Sequence, residues 1–302
     1  AGIYVPKLAQ QILSHAAPTV MPQLKGFAVG DGCLGTESGV CGGGPVWWHL
    51  LFLYGHGQIS SLLYDEIVST CGFDYLKKKG VAPPGCSDAL SRVAAEAGGY
   101  FAYSLYDDCI YSEGVRRRRR RLQAQSRGDA ASPLAASPLA QLGFEVDEAG
   151  RAMPVPARAK LGDHNSPTEN NYKCVGDSTV LWSNASSVRV ALHVPVDSYF
   201  FNGDNGEGMT YHLTETNLMP FYQEVAKSTK LRVLIYNGDT DPSIDSFMAQ
   251  NWTTSLGFTP TQPWRPWTLD GCRRMGGYVT RYQERFDYLT IRGSGHMVPQ
   301  YK

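Results

Sequence analysis

Hydrophobic positions along this chain fall into short continuous runs, each closed by glycine. "LKGFAVGDG" (24–32) reads as a buried strand ending in a tight turn. "LRVLIYNGDTD" (231–241) is a second such run, apolar at Leu231, Val233, Leu234, Ile235 and Tyr236. "FDYLTIRGSGH" (286–296) is a third. After the second run the pattern changes. Ile244, Phe247, Met248, Trp252 and Leu256 recur at three-to-four spacing, which predicts an amphipathic helix over 243–256. Buried strands followed by helices predict an α/β sheet covered on both faces. At the start of the chain, Ile3, Val5, Leu8, Ile12 and Leu13 predict the buried face of another helix. "VWWHLLFLYG" (46–55) is too short for the ~20 apolar residues that span a bilayer and contains His49, so it reads as a buried helix.

Between the first two runs the character differs. Cysteines and aromatic, helix-like segments dominate, and 47–71 reads as helical in parts. From Arg116 to about Pro167 the composition is biased: six arginines, Arg116–Arg121, then the short repeat "AASPLAASPLA" and "RAMPVPARAK". This stretch is expected to be a disordered or exposed insertion. The arginine run reads as a solvated loop or a site for basic-specific processing proteases. No interleaved aromatics support a nucleic-acid patch.

Charge adds an exclusion. Lys plus Arg number 28 and Asp plus Glu 28, so the chain has no overall attraction to nucleic acid or to an anionic membrane. Seven cysteines (Cys33, Cys41, Cys71, Cys86, Cys109, Cys174 and Cys272) include no C-x-x-C pair, which argues against a zinc site or a dithiol. Cys33 and Cys41 are either bridged to each other or bridged separately. Two sequons, at Asn184 and Asn251, join the cysteines in favouring an oxidising, secretory-route compartment.

The candidate chemistry sits just past two of the runs. Asp239 and Asp241 follow Gly238 at what should be the carboxyl edge of the sheet, where α/β proteins build their sites. Alternatively, both are turn formers or the N-cap of the next helix. His296 follows the third run, between small residues that let a loop lie close over a site. An Asp and a His, each after its own strand, suit a pair in which the carboxylate holds one ring nitrogen while the other takes a proton from a nucleophile. In α/β-hydrolases the order along the chain is Ser, Asp, His. Ser14 has no elbow pattern around it, and Cys33 would come one strand too late, so neither suits the nucleophile.

These segments resemble the serine carboxypeptidases, the group that includes lysosomal cathepsin A, yeast vacuolar carboxypeptidase Y and the plant serine carboxypeptidase-like proteins. The resemblance runs from end to end through "AGIYVPKLA", "LKGFAVGDG", "HGQIS", "LRVLIYNGDTD", "RPWTLDGCRRMGGYVTRY" and "IRGSGHMVPQYK". It implies an α/β-hydrolase fold with a helical cap insertion. Residues 1–32 would be core after the nucleophile elbow, 33–195 the cap region with the insertion at about 116–167, and 196–302 core carrying Asp and His. It implies Asp241 as the triad acid, His296 as the base, Asp239 as a support of the turn, and Met297 on the leaving-residue side. It also implies disulfides Cys71–Cys86 and Cys109–Cys174, glycosylation at Asn184 and Asn251, no cofactor and no metal. A lysosomal, vacuolar or extracellular location is expected. The partner would be a peptide substrate, with no nucleic acid and no membrane insertion, and a homodimer is compatible.

Three departures stand out. Asp31 occupies a position where the family usually has Asn, Ser294 one where it usually has Ala, and Cys272 has no obvious family counterpart. "AGIYVP" matches the second half of the family pattern G-E-S-Y-A-G-x-Y-V-P, so the nucleophilic Ser is expected two residues upstream of Ala1. The expected function is therefore serine-type carboxypeptidase, with the chain by itself inactive. The alternatives are an acyltransferase on the same fold, and a catalytically inert fragment or non-enzymatic relative.

Overall fold

The three glycine-terminated runs lie side by side in one sheet. The structure is a computed structural model that describes residues 2–14, 23–41, 44–78, 80–98, 100–101, 103–107, 142, 144–146, 151–154, 178–195, 197, 213–228, 230–283 and 285–302. In it the runs become β1 (Gly26–Gly30), β5 (Arg232–Gly238) and β8 (Phe286–Ile291). β5 pairs in parallel with β1 on one side, Gly30 opposite Tyr236. On its other side it pairs in parallel with β8, Gly238 opposite Ile291. Parallel pairing in these registers brings all three carboxyl ends to one edge of the sheet. The turns that hold Asp31, Asp241 and His296 therefore leave from the same place.

Two further strands, β6 (Pro260–Thr268) and β7 (Met275–Tyr282), form an antiparallel hairpin. β7 pairs antiparallel with β8, giving the order β1-β5-β8-β7-β6. The sequence pattern did not announce this hairpin. β6 is exposed along most of its length and carries Pro260, Pro263 and Pro266, residues that weaken a strand assignment. They are tolerated because β6 has a described neighbour on one side only and its register shifts repeatedly against β7.

The predicted helix over 243–256 is α9 (Ser246–Ser255). Its N-cap is Asp245, whose carboxylate accepts a hydrogen bond from Met248 N–H at 2.8 Å. Ile244, Met248, Trp252 and Leu256 pack with Tyr222 of α8 (Met219–Ser228) and with Phe286 and Tyr288 of β8 in one apolar cluster. Each such large side chain contributes about 2 kcal/mol when fully buried. Phe247 is half-buried and instead meets Phe52 edge-on.

α1 (Tyr4–Ser14) does not bury the face its apolar residues predict. Pro6 and Ala9 are buried and Ile3 and Val5 partly so, whereas Tyr4, Leu8 and Leu13 are exposed. The first turn sits so close to the end of β1 that small residues face the sheet: a Cβ on Gly2 would overlap the backbone of Gly32 and Cys33.

A second apolar cluster covers residues 46–105 and Leu142. It is built on α2 (Trp47–Gly55), α3 (Ser61–Lys78, interrupted at Gly72), α4 (Cys86–Ser91) and α5 (Val93–Ala97). His49 of α2 is buried against the Tyr100 hydroxyl at 3.2 Å, and burial lowers its pKa to about 4. It is therefore a neutral structural histidine. Cys71 and Cys86 are bridged, their Cα atoms 4.8 Å apart, and so are Cys33 and Cys41. Cys272 is a free, exposed thiol. The Cys71–Cys86 bridge closes a sequence separation of 15, so chain entropy assigns it about 3 kcal/mol. Replacing both cysteines by Ser should lower the urea-unfolding free energy by about that amount.

Two stretches of the insertion, expected to be disordered or exposed, form strands. β3 (Phe144–Val146) and β4 (Arg151–Pro154) pair antiparallel, and β4 also pairs with β2 (Tyr100–Phe101). Alternation at Phe144 and Val146 supplies a strand-like pattern inside the biased composition. The arginine run, Cys109 and Cys174 lie outside the described residues. Between α6 (Ser178–Ser183) and α7 (Ser186–Ala191), the Asn184 side-chain oxygen accepts a hydrogen bond from Arg189. Asn251 is exposed on α9. Among the described residues, no helix is long and apolar enough to cross a membrane.

Candidate active site

Two turns, one after β5 and one after β8, are zipped together by their backbones. Asp239 N–H donates to Ile291 O at 3.2 Å, and Thr240 N–H to Ser294 O at 3.0 Å. In return the Asp239 carboxylate accepts from Gly293 N–H at 2.7 Å. Asp239 is thus spent on the turn. Burial raises its pKa, and the Gly293 and Ser294 amides hold the rise in check.

The close approach depends on two glycines. A Cβ on Gly238 would overlap the carbonyl oxygens of Ser294 and Gly295, and one on Gly295 would overlap Tyr103 O. Gly238→Ala or Gly295→Ala should therefore cost about 3 kcal/mol of unfolding free energy, at the upper end for overpacking, as read by urea denaturation.

The zipped turns bring Asp241 and His296 together. Asp241 is fully buried, and its Oδ2 accepts from His296 Nδ1 at 2.8 Å. Its Oδ1 accepts from Ser243 N–H at 2.8 Å. Both oxygens are thereby fixed, and the carboxylate can turn neither away from the ring nor toward solvent. The His296 side chain keeps 31% of its exposure, so the ring is reachable while its acid is not. Met297 is half-buried immediately after it, at the start of α10 (Val298–Tyr301).

The 103–107 segment clamps both turns. Tyr103 O accepts from His296 N–H at 2.7 Å, and the Tyr103 ring stacks on the imidazole with centroids 4.8 Å apart. Leu105 N–H donates to Thr240 O at 2.8 Å, and the Ser104 and Thr240 hydroxyls lie 3.4 Å apart. Sequence reasoning did not find Tyr103. It lies far from both motifs in the chain, in an aromatic stretch with no distinguishing spacing.

Asp31 also reaches this cluster. Atoms of Asp31, Asp241 and His296 able to bind a cation lie within 4.8 Å of one another. The cluster is filled by its own donors, however, because Asn237 and Gly238 occupy Asp31 just as Ser243 and His296 occupy Asp241. Ser294, the other departure, is fully buried, and among the described residues its hydroxyl meets no partner. Nothing in the structure explains that substitution.

A parallel sheet whose carboxyl edge holds an Asp–His pair on successive turns is the arrangement of an α/β-hydrolase. The chain belongs to the serine carboxypeptidase family, whose model matches residues 1–302. It is 27% identical to serine carboxypeptidase 1 of Hordeum vulgare over 323 aligned residues, covering 100% of this chain and 59% of that protein. It is 26% identical to serine carboxypeptidase ctsa-4.1 of Caenorhabditis elegans over 314 aligned residues, with the same coverage of each. The likeness to the solved Kex1(delta)p carboxypeptidase of Saccharomyces cerevisiae is weak, at 12% identity and a TM-score of 0.45 over 99% of this chain and 56% of that one. The chain thus spans about three fifths of the length of these curated relatives (59%).

Proposed function

We propose that Asp241 and His296 are the acid and base of a Ser-Asp-His triad that removes single residues from the C-termini of peptides. The 2.8 Å bond from His296 Nδ1 to the buried Asp241 carries this reading. It sets the tautomer that leaves Nε2 unprotonated, able to take a proton from a serine and return it to the leaving amine. Met297 would line the side on which the departing residue sits.

The serine itself is assigned to the segment that precedes this chain in the whole protein. The start of α1 supports that assignment, because Gly2 packs on Gly32 and Cys33 at the carboxyl edge where Asp31 begins its turn. On this reading the 302 residues alone form no acyl-enzyme.

The bridges at Cys33–Cys41 and Cys71–Cys86 support an oxidising compartment such as the secretory route, lysosome or vacuole. Of the two sequons, the exposed Asn251 is the more accessible to a glycan, whereas Asn184 is engaged by Arg189.

The test uses the whole protein. A blocked dipeptide should release its C-terminal amino acid, and a serine-directed inhibitor should stop the release. The chain alone should release none. Turnover of a glucose ester with no hydrolysis of the dipeptide would favour the acyltransferase instead, and inactivity on both would favour the inert relative.

A further inference from the structure

Two buried carboxyl groups meet where β1 and β5 end. Asp31 leaves β1 with a φ of 41° and donates its N–H to Tyr236 O at 2.9 Å. Its carboxyl accepts from Asn237 Nδ2 at 2.9 Å and from Gly238 N–H at 3.1 Å, and it hydrogen-bonds the carboxyl of Asp241. Asp31 is 3% exposed and Asp241 0%. Like charges so close and so far from water do not both persist, so one proton belongs to the pair. Asp241 already receives two N–H donors, one of them from the imidazole, whose Nδ1 is spent on Asp241 rather than on Asp31.

We infer that Asp31 holds that proton and donates it to Asp241, making Asp31 a positioning residue: a neutral acid at the end of β1 that fixes the carboxylate which orients His296. The inference rests on the triad reading above. Burial, then the charge of Asp241 and the hydrogen bond to it, push the Asp31 pKa up to about 10, against the pull of Gly238 N–H and Asn237. The titratable groups facing Asp31 are Asp241 and His296 from the two turns, Tyr236 from β5 and Tyr288 from β8. Burial first, and the charge of Asp31 after it, push both tyrosines up, so both stand as neutral phenols beside it. Losing the proton sets two buried carboxylates against each other and opposes the bonds from Ser243 and His296 that hold Asp241 in place.

The chemistry predicts which replacement works. An amide keeps an oxygen for Asn237 and Gly238 and an N–H for Asp241, and it cannot ionise. In the whole protein, Asp31→Ala should lower kcat by about a hundredfold with little change in KM. Asp31→Asn should recover that loss and should lack the wild-type decline on the alkaline side. Infrared difference spectra of wild type minus Asp31→Asn, taken at mildly alkaline pH, should contain a protonated-carboxyl stretch.

If that band is missing, or if Asp31→Asn falls as far as Asp31→Ala, the inference is overturned. The same holds if magnesium or calcium raises the melting temperature saturably in wild type and not in Asp31→Asn, since a cation would then fill the place of the proton. Should Asp31→Ala fail to fold, the infrared band and the pH profile of Asp31→Asn still decide. Asp241→Asn and His296→Ala separate the two readings. If both keep activity, the triad reading fails. If both lose it while no band is present, only the role of Asp31 fails.

Discussion

Asp241→Asn should lower kcat for peptide hydrolysis by about ten-thousandfold in the whole protein, and His296→Ala by at least as much. In the first variant the amide can present an N–H to Nδ1 instead of accepting from it. The ring then carries its proton on Nε2, where the base is needed. The second variant removes the base altogether. Neither change opens the fold widely. Asn at 241 retains an oxygen for Ser243 N–H, which Asp241 holds at 2.8 Å, and the His296 side chain is partly exposed. Unfolding midpoints near wild type together with lost turnover and a little-changed KM would mark a transition-state role. A loss of less than about tenfold in both variants would remove Asp241 and His296 from the chemistry.

The pair was legible because each residue carries its own local signal: an apolar run, a glycine, then the carboxylate or imidazole. The strands β1, β5 and β8 and the helix α9 were legible for the same reason, since continuous or periodic burial leaves a direct trace in residue type. Asp31 was visible only as an unusual residue. Its partners Asn237 and Gly238 lie 206 and 207 positions away, and nothing local records that the end of β1 meets the end of β5. Asp245 was missed as a helix cap because Asp239 and Asp241, closer to the strand, competed for that role. The turn takes Asp239 and the imidazole takes Asp241, which leaves Asp245 to Met248 N–H. α1 misled in the opposite sense. Leu8 and Leu13 looked buried, yet they are exposed, while Pro6 and Ala9 are the buried residues of the helix. β6 is exposed and proline-rich, so its strand character depends on pairing with β7 rather than on composition.

Stability should fall as pH rises from neutral toward about 9, by about 1.4 kcal/mol per pH unit. Asp31 sets this slope. Its folded pKa of about 10 stands far above the ~3.9 of an unfolded Asp, so the folded state keeps a proton that the unfolded chain gives up. A carboxyl raised in this way stabilises fully below the unfolded value and loses its contribution as pH climbs through the folded one. Asp245 adds to the trend at lower pH. Burial raises it to about 7, helped by Asp241 against the Met248 and Phe247 amides, and among the described residues its Oδ2 meets no donor. His49 has the opposite sign. Its folded pKa of about 4 lies below the unfolded ~6.5, so its contribution is present above the higher value and lost as pH falls toward the lower. From about pH 4 to 6.5 His49 therefore cancels one of the two aspartates, and the net slope is that of a single proton. Above neutrality Asp31 is the largest carboxyl contribution. Urea unfolding across this range should show the alkaline decline in wild type and a flat line in Asp31→Asn. A wild-type stability that is level or rising through the alkaline range would contradict a protonated Asp31. The conditions that keep Asp31 neutral also keep Asp241 as the single charge facing His296, so the stability profile and the pH profile of turnover should decline together on the alkaline side.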